Sequence, residues 1–299
     1  MRNAVAASGQ LACALLLAAT TVSAGAQTAP SPAPGGPAES VSELVRDVVY
    51  NETHDREHDS HWEYRSERIT PDQNVVREQV ETTSGPVFRV IEQNGAPLDA
   101  SRQRQEERRL DEYVNDPAAV AAAARAHQED EDRLNAAMQM LPQALLFDYV
   151  SEPTGDVVRL AFHPNPAFVP NTYEARVVHA LTGTVTVDTR LKRMIAMQGT
   201  VADRVNFGYG IFGHVEKGGS FSIHRRQVSA THWKTDLVEV HIRGKVLLLK
   251  TFSQDQSETR TDFHPVPGGT TLAEAKQMLN EAAGESVQAR LAPAAMEPK

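Results

Sequence analysis

Apolar and polar residues alternate along most of the chain between Val157 and Phe263. A period of two is typical of strands that bury one face, and seven such segments follow one another. They are VVRLAF, EARVVHA, TGTVTVD, KRMIAMQGTVADRV, GGSFSIHRRQV, HWKTDLVEVHI and GKVLLLKTFSQDQSETRTDF. Turn sequences such as Thr182-Gly183, Lys217-Gly218-Gly219 and Arg243-Gly244 separate them. The pattern predicts a large antiparallel sheet.

Helical spacing replaces this alternation between about 99 and 142. Asp116-Pro117 is a helix start, and Leu134, Met138 and Leu141 follow at i, i+4 and i+7. A second amphipathic helix is expected over 271–283, whereas 41–91, with segments such as VVYNETH and HWEYRSERIT, is expected to open the fold as strands. Helices segregated from an antiparallel sheet predict an α+β fold, with one large curved sheet covered by the helical insert.

The first 26 residues have the organisation of a signal peptide. Arg2 supplies the positive charge, the apolar run from Leu11 to Ala19 is too short to span a bilayer, and Ala24-Gly25-Ala26 is a cleavage site. Cys13, the only cysteine, would leave with it. We therefore expect an exported chain without disulfides or a transmembrane segment: a Pro/Ala-rich linker at 27–40, a single domain at 41–284 and a loose tail at 285–299.

Composition and motifs argue against several function classes. Thirty basic and 39 acidic residues give a net charge of −9, with no basic stripe for nucleic acid. The sequence has no GxSxG, P-loop or HExxH motif. The GxGxxG match from Gly208 to Gly213 is rejected as a dinucleotide site because a turn and another strand follow it. We expect no cofactor and no catalytic residues, although a hydrolase or metal-dependent enzyme whose residues converge only in space stays open.

Two local clusters have alternative interpretations. His54, His58 and His61 are expected in a hairpin, where a solvated turn is favoured over a metal site. Four large apolar residues surround the glycines of the GxGxxG match: Phe207, Tyr209, Ile211 and Phe212. They form either a loop packed over the end of the sheet or an apolar lip that contacts a membrane, partner or lipid chain.

Longer strings carry a family resemblance. AFHPNPAFVPNTYEARVVHALTGTVTVD, GTVADRVNFGYGIFGHVEKGGSFSIHRRQV and GKVLLLKTF resemble uncharacterised bacterial envelope proteins similar to the outer-membrane lipoprotein-sorting carriers, the LolA/LolB-like group. The resemblance covers about 41–264. It implies an incomplete antiparallel barrel in the periplasm, with helices closing an apolar cavity that holds acyl chains. It also implies an arginine on an early strand that contacts the lipid-bearing partner, for which Arg65, Arg68, Arg77 and Arg89 are candidates.

The residues themselves independently favour an apolar interior. The expected lining of the cavity is Met138, Leu141, Ile195, Met197, Phe221, Ile223, Val240 and Leu248. We expect a periplasmic, non-enzymatic binding protein whose partner is a lipid or the acyl chains of a lipoprotein. The alternative is a scaffold with a filled core that docks another envelope protein.

Overall fold

A computed structural model describes residues 40–58, 61–152, 154–207, 213–246 and 250–291. The fold is α+β, with five helices and an open, curved antiparallel sheet of 13 strands. The helices are α1 (Val41–His58), α2 (Ala100–Val114), α3 (Pro117–Ala144), α4 (Tyr173–His179) and α5 (Leu272–Leu291). The strands are β1 (Trp62–Ile69), β2 (Asn74–Val80), β3 (Val87–Gln93), β4 (Ala96–Pro97), β5 (Leu145–Tyr149), β6 (Val157–Pro164), β7 (Leu181–Asp188), β8 (Arg193–Val201), β9 (Val205–Phe207), β10 (Gly213–Val215), β11 (Ser220–Gln227), β12 (Trp233–Val246) and β13 (Lys250–Pro265).

An early strand and a late strand of the chain lie side by side at the centre of the sheet. Its order is β4-β3-β2-β1-β13-β12-β11-β8-β7-β6-β5, and the hairpin β9–β10 joins it through β12. The early strand β1 therefore pairs with the late strand β13. We call the sheet face that meets α1 and α3 the inner face. Helix α5 packs on the outer face of β2 and β3, where Arg89 donates to Asn280.

The predicted insert consists of two capped helices. Asp99 and Asp116 each accept hydrogen bonds from two backbone N–H groups at the start of α2 and α3. Pro142 lies inside α3, which ends two residues later, and β5 begins at once. The C-terminal helix is also present and extends beyond the predicted end.

Two segments predicted as strands are helices. VVYNETH belongs to α1, because Leu44, Val45, Val48 and Val49 are all buried against the sheet at helical spacing. EARVVHA belongs to α4, which Thr172 caps. Local β-branched residues suggested strands, but packing of the helical apolar stripe decides the structure. The predicted turns at Gly183 and Gly244 are also wrong, since both glycines lie within strands.

The main core lies between the inner face and helices α1, α3 and α4. It is formed by four residues of α1, the end of α3 and the inward side chains of β5 to β8. A smaller cluster joins α2 and α5 to the outer side of β2 and β3 through Leu110, Val80 and Leu279. Both layers of helices are thus fixed by apolar contacts to opposite faces of one sheet.

Candidate functional site

Cross-strand pairing defines the composition of the inner face. In an antiparallel sheet, directly paired residues project from the same face. One continuous row of paired residues crosses nine strands: Tyr149, Leu160, Val185, Met197, Ile223, Val238, Glu258, Arg68 and Val75. The row is apolar from β5 to β12 and becomes charged at β13. We call these parts the apolar half and the polar half of the inner face.

The apolar half brings together most of the predicted cavity residues. Met138 and Leu141 of α3 belong to the same cluster as Met197, Phe221 and Ile223 of the sheet. Leu141 and Met197 are buried, whereas Met138, Phe221 and Ile223 are only partly buried. The inner face therefore keeps partly accessible apolar surface at these three side chains.

Two glycines allow aromatic rings to lie flat on this half of the sheet. Gly183 and Gly199 are directly paired, and a Cβ on either would lie within 3.0 Å of the Phe162 ring. A Cβ on Gly199 would also lie 3.0 Å from Phe221. The missing side chains thus make room for two rings, which fill part of the interior.

The other three predicted lining residues have three different outcomes. Ile195 falls at a bulge between β7 and β8, so Met194 takes the buried position. Val240 does project from the inner face, but it is fully buried. Leu248 lies outside the described residues. The prediction of a simple alternation along β8 was wrong at Ile195, because a one-residue bulge reverses the faces.

The predicted apolar lip is a hairpin whose tip lies outside the described residues. Strands β9 and β10 pair antiparallel, with Phe207 opposite Gly213. After Gly213 the chain continues as β10, a turn at Lys217-Gly218 and β11, which is the arrangement on which the rejection of the dinucleotide motif rests. Phe207 lies in β9, while Tyr209, Ile211 and Phe212 fall outside the described residues, so their contacts stay a prediction.

A buried ion pair attaches α1 to the apolar half. Glu52 and Arg225 form a salt bridge with both side chains almost completely buried. Glu52 also accepts the Met194 backbone N–H at 3.0 Å, and Arg225 donates to the Trp233 carbonyl at 2.8 Å. Burial lowers the pKa of Arg225 to about 10, which still leaves it charged at neutral pH. The pair balances one cation with one anion.

The polar half contains a second group of buried charges. Arg77 and Arg260 lie on either side of Ser66 in register, and both approach Glu258. Arg260 Nε donates to Glu258 at 2.9 Å, whereas Arg77 Nη2 stays 3.8 Å away. Arg77 also donates to Ser66 and lies over the Phe88 ring. Two guanidinium groups therefore share one carboxylate.

The electrostatics of this group follow from burial and proximity. Burial lowers the pKa of Arg77, and the neighbouring guanidinium groups lower it further, against the attraction of Glu258. Burial alone would raise the pKa of Glu258, but Arg260 and Arg77 hold it below its usual value. Buried and without a hydrogen-bond partner, Arg77 Nη2 and Trp62 Nε1 are donors that lack an acceptor.

Sequence reasoning missed the polar half. Arg68 and Arg77 were named among four candidate arginines, but Arg260, Glu258 and Ser66 were not singled out. The signal that was available is the polar alternation in QSETR of β13, with Gln256, Glu258 and Arg260 on one face. Polar alternation gives no indication of which face is buried.

The histidines form no group of metal ligands within the described residues. His54 lies on α1, where its ring stacks on Tyr50 and its Nδ1 contacts the Tyr50 carbonyl oxygen, so the predicted hairpin of His54, His58 and His61 is wrong. No three His, Cys, Asp or Glu residues of the described chain are grouped as metal ligands. His224 and His241 contact Asp236 and Asp255 at 2.6 and 2.7 Å on the outer face, all four partly exposed.

A cleft of about 330 Å³ lies away from the inner face. It is formed by the 267–270 turn and by Glu274, Gln277 and Met278 of α5. None of the predicted lining residues contributes to it. Glu274 is already engaged there, because it accepts hydrogen bonds from Thr271 at the start of the helix.

Neither the helices nor comparisons with known proteins identify the chain. Among the described residues, no helix combines the length and apolarity needed to cross a bilayer. No protein-family model, no curated protein and no solved structure matches this sequence.

Proposed function

We propose that this protein is an exported, non-enzymatic binding protein that holds a lipid, or the acyl chains of a lipoprotein, on the apolar half of the inner face. The observation that supports this most is the partial burial of Met138, Phe221 and Ile223. These large apolar side chains lie on the side of the sheet that helices cover, where interiors are normally closely packed. An acyl chain would bury their remaining surface, at about 25 cal/mol per Å².

Helix α3 is the element that would move to admit the chain. It has 28 residues, about 42 Å at 1.5 Å per residue, yet only Leu141 and Ala144 are buried. Both lie in its last turn, beside Pro142. By contrast, α1 is held by the buried Glu52–Arg225 pair and four buried aliphatic residues. A lid that pivots near Pro142 fits this difference in anchoring.

Export to the periplasm rests on the leader-like residues 1–26. The same sequence supports a mature chain without cysteine, since Cys13 is the only one. The resemblance to lipoprotein-sorting carriers points to the same compartment and to acyl chains as cargo.

Native mass spectrometry and a fatty-acid titration test the proposed function. Mature protein purified without detergent would be analysed by native mass spectrometry, then delipidated and titrated with a fluorescent fatty acid. Co-purifying lipid and saturable binding are expected. A clean apo mass together with no saturable binding would contradict the proposal.

The lid is tested by a reversible crosslink. A Cβ at Gly85, in the β2–β3 turn, would lie 3.8 Å from the His127 Cβ of α3, which suits a disulfide. In the mature Gly85→Cys/His127→Cys variant, oxidation would tether α3, and we expect acyl binding to be at least tenfold slower until reductant is added. Gly85→Cys alone is the control, because it carries the same strain at φ +93°. Equal binding rates in the oxidised and reduced forms would exclude α3 as the lid.

A docking module is the second candidate, favoured by one edge of the sheet. β5 is a terminal strand, and Leu146, Val150 and Val157 beside it are exposed apolar residues. Charged replacements such as Leu146→Lys would weaken docking to another envelope protein. They would leave acyl binding unchanged, so the two functions are separable.

A further inference from the structure

We propose that the polar half of the inner face binds the anionic head group of the amphiphile whose acyl chain lies on the apolar half. The inference rests on the proposed function and names the ligand class more closely: a long-chain amphiphile ending in a carboxylate or phosphate.

Charge imbalance is the first observation. Arg77 and Arg260 are each more than nine-tenths buried, and the carboxylate that they share is Glu258. Arg68 lies on the same face in the next row, where it is directly paired with Glu258, and it donates to Gln256. Buried charges are normally balanced, as Glu52 and Arg225 are, because unbalanced charge in a low dielectric is costly. An anion would restore the balance.

Unsatisfied donors are the second observation. Arg77 Nη2 is buried without a hydrogen-bond acceptor, and Trp62 Nε1, on the same face of β1, has none either. Fewer than about one in ten buried polar groups lacks a partner in folded proteins. Both groups are hydrogen-bond donors, so what each of them lacks is an acceptor. Carboxylate and phosphate oxygens are the acceptors that a guanidinium group binds best.

Continuity between the halves is the third observation. Ile223, Val238 and Glu258 are directly paired neighbours on β11, β12 and β13. At about 4.8 Å per strand, Val238 lies one strand spacing from Glu258, and Ile223 lies roughly 10 Å from it. One ligand can therefore contact both halves. An acyl chain on Phe221 and Ile223 would carry its head group towards Arg260 and Arg77.

Matched ligands separate the head group from the chain. Palmitate and lysophosphatidate carry an anionic head, and monopalmitoylglycerol carries the same chain with a neutral head. We expect delipidated protein to bind at least one anionic ligand about tenfold or more tightly than the neutral one, as charge-assisted hydrogen bonds predict. Whichever anionic ligand binds more tightly identifies a free fatty acid or a phospholipid as the source.

Two variants with opposite expected effects on the preference for anionic ligands locate the head group. Arg77→Met leaves one guanidinium for one carboxylate, so it is expected to fold and to reduce the anionic preference to within about threefold. Glu258→Gln removes the competing carboxylate and is expected to increase the preference. Circular dichroism confirms folding, and Glu258→Gln keeps the test decisive if Arg77→Met fails to fold.

The outcomes distinguish the two proposals. Equal affinity for charged and neutral heads in the unmodified protein, or the same preference in all folded variants, overturns the head-group site and leaves acyl binding intact. If none of the three ligands binds, the proposed function fails as well.

Discussion

The two halves of the inner face belong to one continuous antiparallel sheet, but they are stabilised in different ways. In the apolar half, rings and aliphatic side chains from α1, α3 and the sheet pack together, with Met138, Phe221 and Ile223 only partly buried, and the buried Glu52–Arg225 pair matches one anion with one cation. In the polar half, two guanidinium groups converge on Glu258 and donors are left without acceptors. The comparison teaches that aliphatic contacts and a matched ion pair hold the apolar half, whereas in the polar half two buried cations share one anion.

The largest expected effect comes from breaking the balanced pair. Arg225→Met leaves Glu52 buried without its cation, and we expect it to lower the free energy of unfolding by about 3–5 kcal/mol. Chemical denaturation monitored by circular dichroism measures this. The control is Arg190→Met, whose partner Asp156 is exposed, and a loss below about 1 kcal/mol is expected there. Similar losses in the two variants would contradict the role of burial.

A smaller loss is expected from filling the space under the rings of the apolar half. The Cβ of Gly183→Ala would lie 2.0 Å from the Gln198 carbonyl oxygen, so β7 and β8 must separate. We expect a loss of about 3 kcal/mol in the free energy of unfolding, because the obstacle is backbone. Gly268→Ala meets nothing within 4 Å and should change stability little. If both variants are equally stable in urea, the close contact at Gly183 is wrong.

Glu78, on the outer face of β2, predicts that the stability of the protein depends on pH. Burial raises the pKa of Glu78 to about 7, against the attraction of Arg65. The folded state therefore holds a proton that the unfolded state releases near pH 4.5, and this contribution to stability is lost as the pH rises from about 4.5 to 7. Glu78→Gln should be more stable than the unmodified protein at pH 8, by about 2 kcal/mol, and not at pH 4. Denaturation curves at both pH values measure this. If the difference in stability between Glu78→Gln and the unmodified protein were the same at pH 4 and pH 8, the raised pKa of Glu78 would be wrong.

The smallest effect is expected from removing the surplus cation. Arg77→Met keeps an apolar stem beside Phe88 and leaves Arg260 paired with Glu258, so the loss in stability should be about 1 kcal/mol or less. The loss in the free energy of unfolding is measured beside that of Arg225→Met and is expected to be the smaller of the two. Equal losses at the two buried arginines would show that the polar half is a structural network as necessary as the balanced pair.

The sequence predicts the α+β class and most of the long sheet, because alternation in β6, in the second half of β7 and in the middle of β12 matches burial of one face. It fails where an element's apolar residues suit two periods, as in α1, whose Val48, Val49 and Tyr50 favour strand locally although Leu44 and Val45 complete a helical stripe. The residues that meet in the polar half could not be predicted from the sequence for another reason. Ser66 on β1 and Arg260 on β13 are 194 positions apart, and only the pairing of these strands brings them together.

The most direct test of acyl binding on the inner face is photo-crosslinking with a diazirine-bearing palmitate, followed by peptide mapping. On delipidated protein, we expect saturable crosslinks to the 134–144 segment of α3 and to β8 and β11, and we expect unlabelled palmitate to compete with them. Crosslinks confined to the exposed edge of β5 or the cleft at α5, or crosslinks that palmitate does not compete, would contradict acyl binding on the inner face.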